Sequence, residues 1–312
     1  MKRIVLDQAF RFGMIWVLIG LAILSDILYP GFFNTGNLND LIGEVAPVAI
    51  VAVGMTFVII GGGFDLSVGA TFALASVIYA LLGNHIPLGL AFVITMGAGM
   101  ACGLINGLII TLVRVNPFIA TLATSSLFSG AAYLLSNSNP ITPKASDFTY
   151  LGIGKWGGIW ISSFFLLVII VIAGVALART TYGRSVYSVG GNEEASRLAS
   201  LRTNWVKVST FMISGVCAAI AGMIVASQTD LGSASFGGTV TLDSIAIVIV
   251  GGTSLLGGEG AMWRTGIGIL IWGTITNLFT SLALSTATQL LLEGAILLVA
   301  VGLDSLARRS RR

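Results

Sequence analysis

Ten apolar stretches follow one another through this chain of 312 residues, and they limit its possible folds more than any other feature of the sequence. A helix rises 1.5 Å per residue, so about 20 apolar residues cross the ~30 Å hydrocarbon layer of a bilayer. The stretches lie at 12–29, 41–60, 66–83, 88–113, 118–135, 159–178, 208–227, 241–252 (extended toward 256), 264–283 and 287–304. A single large water-soluble core does not account for them. Only 9% of the residues are charged and 55% are hydrophobic, whereas a soluble domain carries about 25% charged residues with which to cover its surface. Lipid as solvent removes that requirement. Forty glycines agree with it, because glycine lets spanning helices approach closely. The expectation is an all-α, polytopic membrane protein with about ten transmembrane helices, one domain over residues 1–312.

Charge placement sets an expected orientation. With ten spans and the N-terminus inside, the inner segments hold Lys2, Arg3, Arg11, Arg114, Arg179, Arg184, Arg197, Arg202, Lys207, Arg264, Arg308, Arg309, Arg311 and Arg312, which is 14 of the 16 basic residues. Only Lys144 and Lys155 fall outside, as the excess of Lys and Arg in cytosolic loops requires. Both termini are therefore expected in the cytosol. Residues 136–158 form an external loop, and 179–207 form the main cytosolic loop. The first stretch is read as an uncleaved span, because Ser25-Asp26-Ile27-Leu28-Tyr29-Pro30 offers no small-x-small cleavage site.

Several chemistries are excluded. Cys102 and Cys217 lie in apolar runs without partners at metal or redox spacing, and His85 stands alone. No catalytic constellation, metal site or nucleic-acid surface is expected. The Gly-x4-Gly-Lys-Ser/Thr phosphate loop is absent, so the chain should bind no ATP and no other cofactor. Gly152–Gly157 matches G-x-G-x-x-G, but in an external loop with no strand before it.

The informative intramembrane string is Gly61-Gly62-Gly63-Phe64-Asp65-Leu66-Ser67-Val68-Gly69. Three glycines in a row are poor helix formers, so the backbone should unwind here, which is tolerated at membrane depth only beside protein or a water-filled cavity. Asp65 is expected as the N-cap of the third span, or on a translocation path or its gate. A second glycine-rich break covers Gly251 to Gly260. Gly99, Gly103 and Gly107, four residues apart, make a smooth stripe for close packing between spans or subunits. Asn106, Asp243 and Glu293 are further candidates for lining a path, because polar groups at this depth are costly and face a bundle interior or water. The segment Tyr187–Leu201 reads as a short amphipathic helix. Asn192 can cap it, Glu193 and Glu194 suit its first turn, and Leu198 with Leu201 form an apolar edge. The strings Ala49–Gly54 and Ala246–Gly251 look alike but are weak evidence of duplication.

Four strings occur in order: Gly-Gly-x-x-Asp-Leu-Ser-Val-Gly ending at Gly69, Val115-Asn116-Pro117-Phe118-Ile119-Ala120-Thr121-Leu122, Val189–Leu198, and Gly251–Gly258. Together they resemble the permeases of ribose-, xylose- and arabinose-type ABC importers, related more distantly to branched-chain amino-acid permeases. The resemblance covers roughly residues 40–305. It implies a type II importer permease fold in a bacterial inner membrane, with two permease subunits, identical or not, paired around a central path. It also implies a cytosolic ATPase, often with tandem nucleotide-binding domains that hold ATP and magnesium, and a periplasmic or lipid-anchored sugar-binding protein that delivers the cargo. Gly61, Gly62, Gly63, Asp65, Ser67, Asn106, Asn116, Pro117, Asp243 and Glu293 are then candidates for the path or gate. Gly190, Gly191, Asn192, Glu193, Glu194, Arg197, Leu198 and Leu201 are candidates for coupling to the ATPase. The sequence departs from the pattern at Gly63-Phe64, at Ala199-Ser200-Leu201 (where Ser-Gly-Ile is usual) and at Arg264. Rival readings are an ion-coupled secondary transporter and an ABC permease for amino acids or nucleosides.

Overall fold

A computed structural model describes residues 13–309; of the basic residues used above, Lys2, Arg3, Arg11, Arg311 and Arg312 lie outside them. The helices follow in order as α1 (Gly13–Leu28), α2 (Thr35–Ile60), α3 (Val68–Gly83), α4 (Leu88–Leu108), α5 (Pro117–Leu135), α6 (Tyr150–Ile153), α7 (Ile161–Arg179), α8 (Thr181–Gly191), α9 (Glu193–Leu198), α10 (Thr203–Thr229), α11 (Val240–Val250), α12 (Met262–Ser281) and α13 (Thr286–Arg309). A π turn, Ile109–Val113, continues α4. Each apolar stretch coincides with a helix, and α6, α8 and α9 lie between stretches. Among the described residues, five helices are long and apolar enough to cross a membrane: α2, α4 with its π turn, α5, α7 and α10. The eighth stretch is corrected, since α11 stops at Val250 and does not continue toward 256. The segment between α6 and α7 holds a minor exception to an all-helical chain, an antiparallel pairing of Lys155–Trp156 with Ile159–Trp160.

Burial sorts the helices into a centre and a rim. In the most apolar 18 residues of α2 and α10, 83% and 72% are buried, against 28% in α4, α5 and α7. A helix that is apolar all round belongs in the core of its bundle, and α2 and α10 take that place. The rim helices keep large apolar side chains outward. On α7 these include Leu167, Val168, Val171, Ile172 and Val175, all more than half exposed. Such a surface suits lipid and not water. The chain is a multi-pass membrane protein.

The glycine stripe of α4 packs inside the chain and faces α10. A Cβ added to Gly99 would collide with Ala219 and the Gly215 carbonyl, one on Gly103 with the Phe211 carbonyl, and one on Gly107 would come 2.7 Å from Val208 Cα. Charge is segregated between the two ends of the bundle. Arg114, Arg197, Arg202 and Lys207 line one cleft, Arg179 and Arg184 lie where α7 meets α8, and Arg264 lies near Tyr187 of α8. Lys144 and Lys155 lie at the other end with the small hairpin, where the Trp160 indole donates to Asp40 at 3.0 Å.

Candidate functional site

Both glycine breaks begin with the same backbone device. At the end of α2, Gly62 N donates to Ile59 O at 3.0 Å and Gly63 N to Val58 O at 2.9 Å. At the end of α11, Gly252 N donates to Ile249 O at 2.7 Å and Thr253 N to Val248 O at 3.2 Å. Gly62 and Gly252 take φ of +81° and +83°, the left-handed closure that favours glycine after a helix C-terminus. The structural likeness thus pairs Gly61-Gly62 with Gly251-Gly252, a different register from that of the Ala49 and Ala246 strings.

Beyond Gly63 the chain stays non-helical as far as Ser67 and delivers Asp65, 1% exposed, to the interior of the bundle. Asp65 is not the N-cap of α3, because that position falls on Ser67, which makes no side-chain cap bond. Instead one carboxylate oxygen of Asp65 accepts from Ser67 N at 3.0 Å and Ser67 Oγ at 2.7 Å, and the other accepts from Ser214 Oγ at 2.9 Å. The chain of bonds continues as Asn106 Nδ2 donates to Ser67 Oγ at 2.7 Å and Thr124 Oγ1 to Asn106 Oδ1 at 2.6 Å. Leu66 N adds a bond to Thr121 Oγ1 at 3.0 Å. Three expected path residues, Asp65, Ser67 and Asn106, are therefore parts of one buried network that ties the first break to α4, α5 and α10. A buried carboxylate is tolerated only with such partners.

A second irregular segment meets this one from the opposite side. Residues 230–239 leave the end of α10 and run beside α3. Ser76 Oγ bonds Ser233 O at 3.1 Å, and a Cβ on Gly69 would come 2.5 Å from Gly237 O. Gly69 N donates to Thr241 Oγ1 at 3.1 Å. The N-termini of α3 and α11 therefore meet, each preceded by non-helical backbone; Gly63, Asp65 and Ser67 before α3 are buried, whereas Asp230, Ser235, Gly238 and Thr239 before α11 are exposed.

At the basic end three glycine pairs converge. Gly258 N donates to Ile60 O at 2.8 Å. A Cβ on Gly257 would come 2.8 Å from both Gly190 O and Gly62 Cα, and one on Gly190 would overlap Ile60 O. Gly190 and Gly191, the end of α8, thus sit directly on both breaks. Tyr187 Oη adds a bond to Gly260 O at 2.9 Å. Burial raises the Tyr187 phenol above its ordinary range, with nearby Arg264 opposing the shift, so at neutral pH it keeps the proton it donates.

The expected single helix over Tyr187–Leu201 is two helices broken at Asn192, which is the C-cap of α8 and the N-cap of α9. Asn192 Oδ1 accepts from Ala195 N at 2.9 Å, and Glu193 and Glu194 occupy the first turn of α9. Glu194 pairs with Arg197 at 2.7 Å, and Glu193 with Lys207. The helix ends at Leu198, so Leu201 lies beyond it, after Ser200 turns the chain at φ +64°. The apolar edge is split: Leu198 projects 78% exposed, whereas Leu201 lines a cleft of about 830 Å³.

Asn116 and Pro117 line that same cleft with Arg114, Glu193, Glu194 and Arg197. Asn116 caps α5 by accepting from Phe118 N at 2.9 Å. These two residues stand with the coupling candidates rather than among the Asp65 network, joined to it only through Thr121, which donates to Pro117 O at 2.8 Å. Asp243 and Glu293 stand apart from both groups, half-buried on α11 and α13, two helices that pack together.

Sequence reasoning missed Ser214, Thr121, Thr124, Thr241 and the whole 230–239 segment. Its signal was present in the run Gly232-Ser233-Ala234-Ser235-Phe236-Gly237-Gly238, which has the same small-residue character as the two recognised breaks. Among the described residues no group of three or more His, Cys, Asp or Glu side chains is placed to hold a metal.

Comparison with known proteins places these features. Residues 37–301 match the family described as branched-chain amino acid transport system / permease component. The ribose import permease protein RbsC of Bacillus subtilis (strain 168) is 38% identical over 307 residues, which cover 97% of this chain and 95% of that protein. The protein of the same name from Haemophilus influenzae is 37% identical, with 94% and 92% covered. The L-arabinose transport system permease protein AraH of Escherichia coli (strain K12) is 34% identical, with 98% and 95% covered. No solved structure matches the chain.

Proposed function

The chain belongs to the branched-chain amino acid transport system / permease component family, and from that premise we propose that it is the membrane-spanning permease subunit of an ATP-driven importer whose cargo is a monosaccharide. Relatives named for ribose and L-arabinose, aligned over nearly their full lengths, support the sugar class. In this reading the chain crosses a bacterial inner membrane ten times in a type II fold with both termini in the cytosol, and the basic end faces inward. It pairs with a second permease subunit around a central path. A periplasmic or lipid-anchored binding protein delivers the sugar at the hairpin end. A separate ATPase subunit docks at the basic end and carries the ATP and magnesium, while this chain catalyses nothing and holds no cofactor.

The observation that carries the reading is the seating of α8 on both glycine breaks. ATP binding closes the ATPase dimer and displaces α8 and α9. Gly190 is in backbone contact with Gly62 and with Gly257-Gly258, so the displacement moves the ends of α2 and α11 together. The non-helical segment that carries Asp65 and the 253–261 loop then shift as units, because packed helices change between discrete arrangements and do not deform smoothly. Nucleotide drives this only through its differential affinity for the two arrangements. The cargo needs no deep pocket here, since the binding protein sets selectivity.

The test is uptake of labelled ribose or arabinose into proteoliposomes that hold this chain with its ATPase and binding protein. Uptake should require ATP and survive a proton uncoupler. Uptake without ATP, abolished by the uncoupler, would instead identify a secondary transporter.

A further inference from the structure

We infer that the cleft at the basic end receives an acidic segment of the partner ATPase, with Arg114 and Arg202 as its cationic contacts. This rests on the proposed function and adds the α4–α5 turn to the docking surface. The cleft encloses about 830 Å³ between that turn, α9 and the first turn of α10. Four cations line it, Arg114, Arg197, Arg202 and Lys207, with two carboxylates, Glu193 and Glu194. Both carboxylates are committed: Glu193 pairs with Lys207 and Glu194 with Arg197. Arg114 and Arg202 are exposed and have no ion-pair partner among the described residues. The cleft therefore carries a surplus of two positive charges with no ion-pair partner among the described residues.

The backbone supports the same assignment. Arg114 ends the π turn and adopts φ +61°, a left-handed conformation that is costly for a side chain of its size. Such strain is typical of positions where function fixes the direction of a side chain. The conformation places Arg114 in the lining of the cleft, facing the segment that holds Arg202. Trp205, 63% exposed, and Leu201 supply apolar contacts in the same cleft. An aromatic and an apolar anchor surrounded by arginines is a protein-binding composition.

The experiment introduces a photo-crosslinking amino acid (p-benzoylphenylalanine) separately at Arg114, Arg202 and Leu198 of the full transporter, irradiates membranes and maps the adducts by mass spectrometry. The expected result is that positions 114 and 202 capture an ATPase peptide of net negative charge. In parallel, the R114E/R202E pair should retain ATPase on the order of tenfold less well at ~150 mM salt, per molecule of inserted permease, while R114K/R202K retains it. Adducts to lipid alone, to a neutral or basic ATPase peptide, or undiminished retention by R114E/R202E would overturn the inference. Capture from Leu198 alone would overturn it and leave the coupling reading standing. An absence of ATPase adducts at all three positions would overturn both.

Discussion

At the scale of single residues, Asp65 decides most. Its two oxygens hold the Ser67 amide, the Ser67 hydroxyl and the Ser214 hydroxyl among buried residues. Asp65→Ala would strand these donors, each at roughly 1–3 kcal/mol when unsatisfied. Asp65→Asn keeps one acceptor oxygen, and Ser214 can rotate to accept from the new amide. Thermal unfolding in detergent should therefore rank Asp65→Ala well below wild type, with Asp65→Asn and Ser214→Ala between them; an unchanged midpoint for Asp65→Ala would contradict the network. Asp65 was legible in the sequence because a carboxylate between glycines in an apolar run has few explanations. Ser214, Thr121 and Thr124 were not, because small hydroxyl residues also sit in spanning helices bonded to their own backbone, as Thr56 does to Ala52 O at 2.7 Å. Ser200 offers a second measurement. It closes α9 at φ +64°, where the resembling permeases carry glycine. Ser200→Gly should relieve about 1 kcal/mol of left-handed strain, read as slower amide exchange in α9.

At the scale of elements, the α4–α10 contact separates glycines that matter from those that do not. Gly103→Ala drives a methyl into the Phe211 carbonyl and forces the two helices apart, at a cost of about 1–3 kcal/mol. Gly97→Ala on the same helix meets nothing within 4 Å and should gain up to ~1 kcal/mol of helix propensity. The yield of monodisperse protein in detergent should fall for the first and hold or rise for the second; equal behaviour would refute the packing. A four-residue repeat announces a smooth face in the sequence, but which helix fills it is set by tertiary pairing. The helix content was legible from hydropathy, since apolar length fixes a span. The break at Asn192 was half-legible: an asparagine before two glutamates marks a cap, yet nothing local says that another helix ends on the same residue. The 230–239 segment escaped because its non-helical path depends on α3 alongside it, through contacts such as Ser76 to Ser233.

At the scale of the whole molecule, orientation and coupling are the two properties to test. Cys102 and Cys217 are both buried, so the native chain is a quiet background for thiol labelling. Thr181→Cys at the basic end and Ser146→Cys at the hairpin end are exposed positions. In intact cells a membrane-impermeant maleimide should label only Ser146→Cys, and in inverted vesicles only Thr181→Cys; the reverse pattern would invert the topology. Coupling is tested at Gly190. It touches Ile60, Gly62 and Gly258 through backbone atoms and takes no part in the exposed face of α9. A methyl at this point must separate α8 from the breaks while leaving the exposed face of α9, with Leu198, free to dock. Gly190→Ala should thus still assemble with the ATPase and support nucleotide hydrolysis, yet lose on the order of tenfold or more of its sugar uptake, because a misplacement of about 1 Å at a positioned contact costs that much or more. Lost assembly would make Gly190 a docking residue, and normal uptake would show that force reaches the breaks by another route. The split between hydrolysis and uptake is the informative quantity, since a folding defect lowers both together.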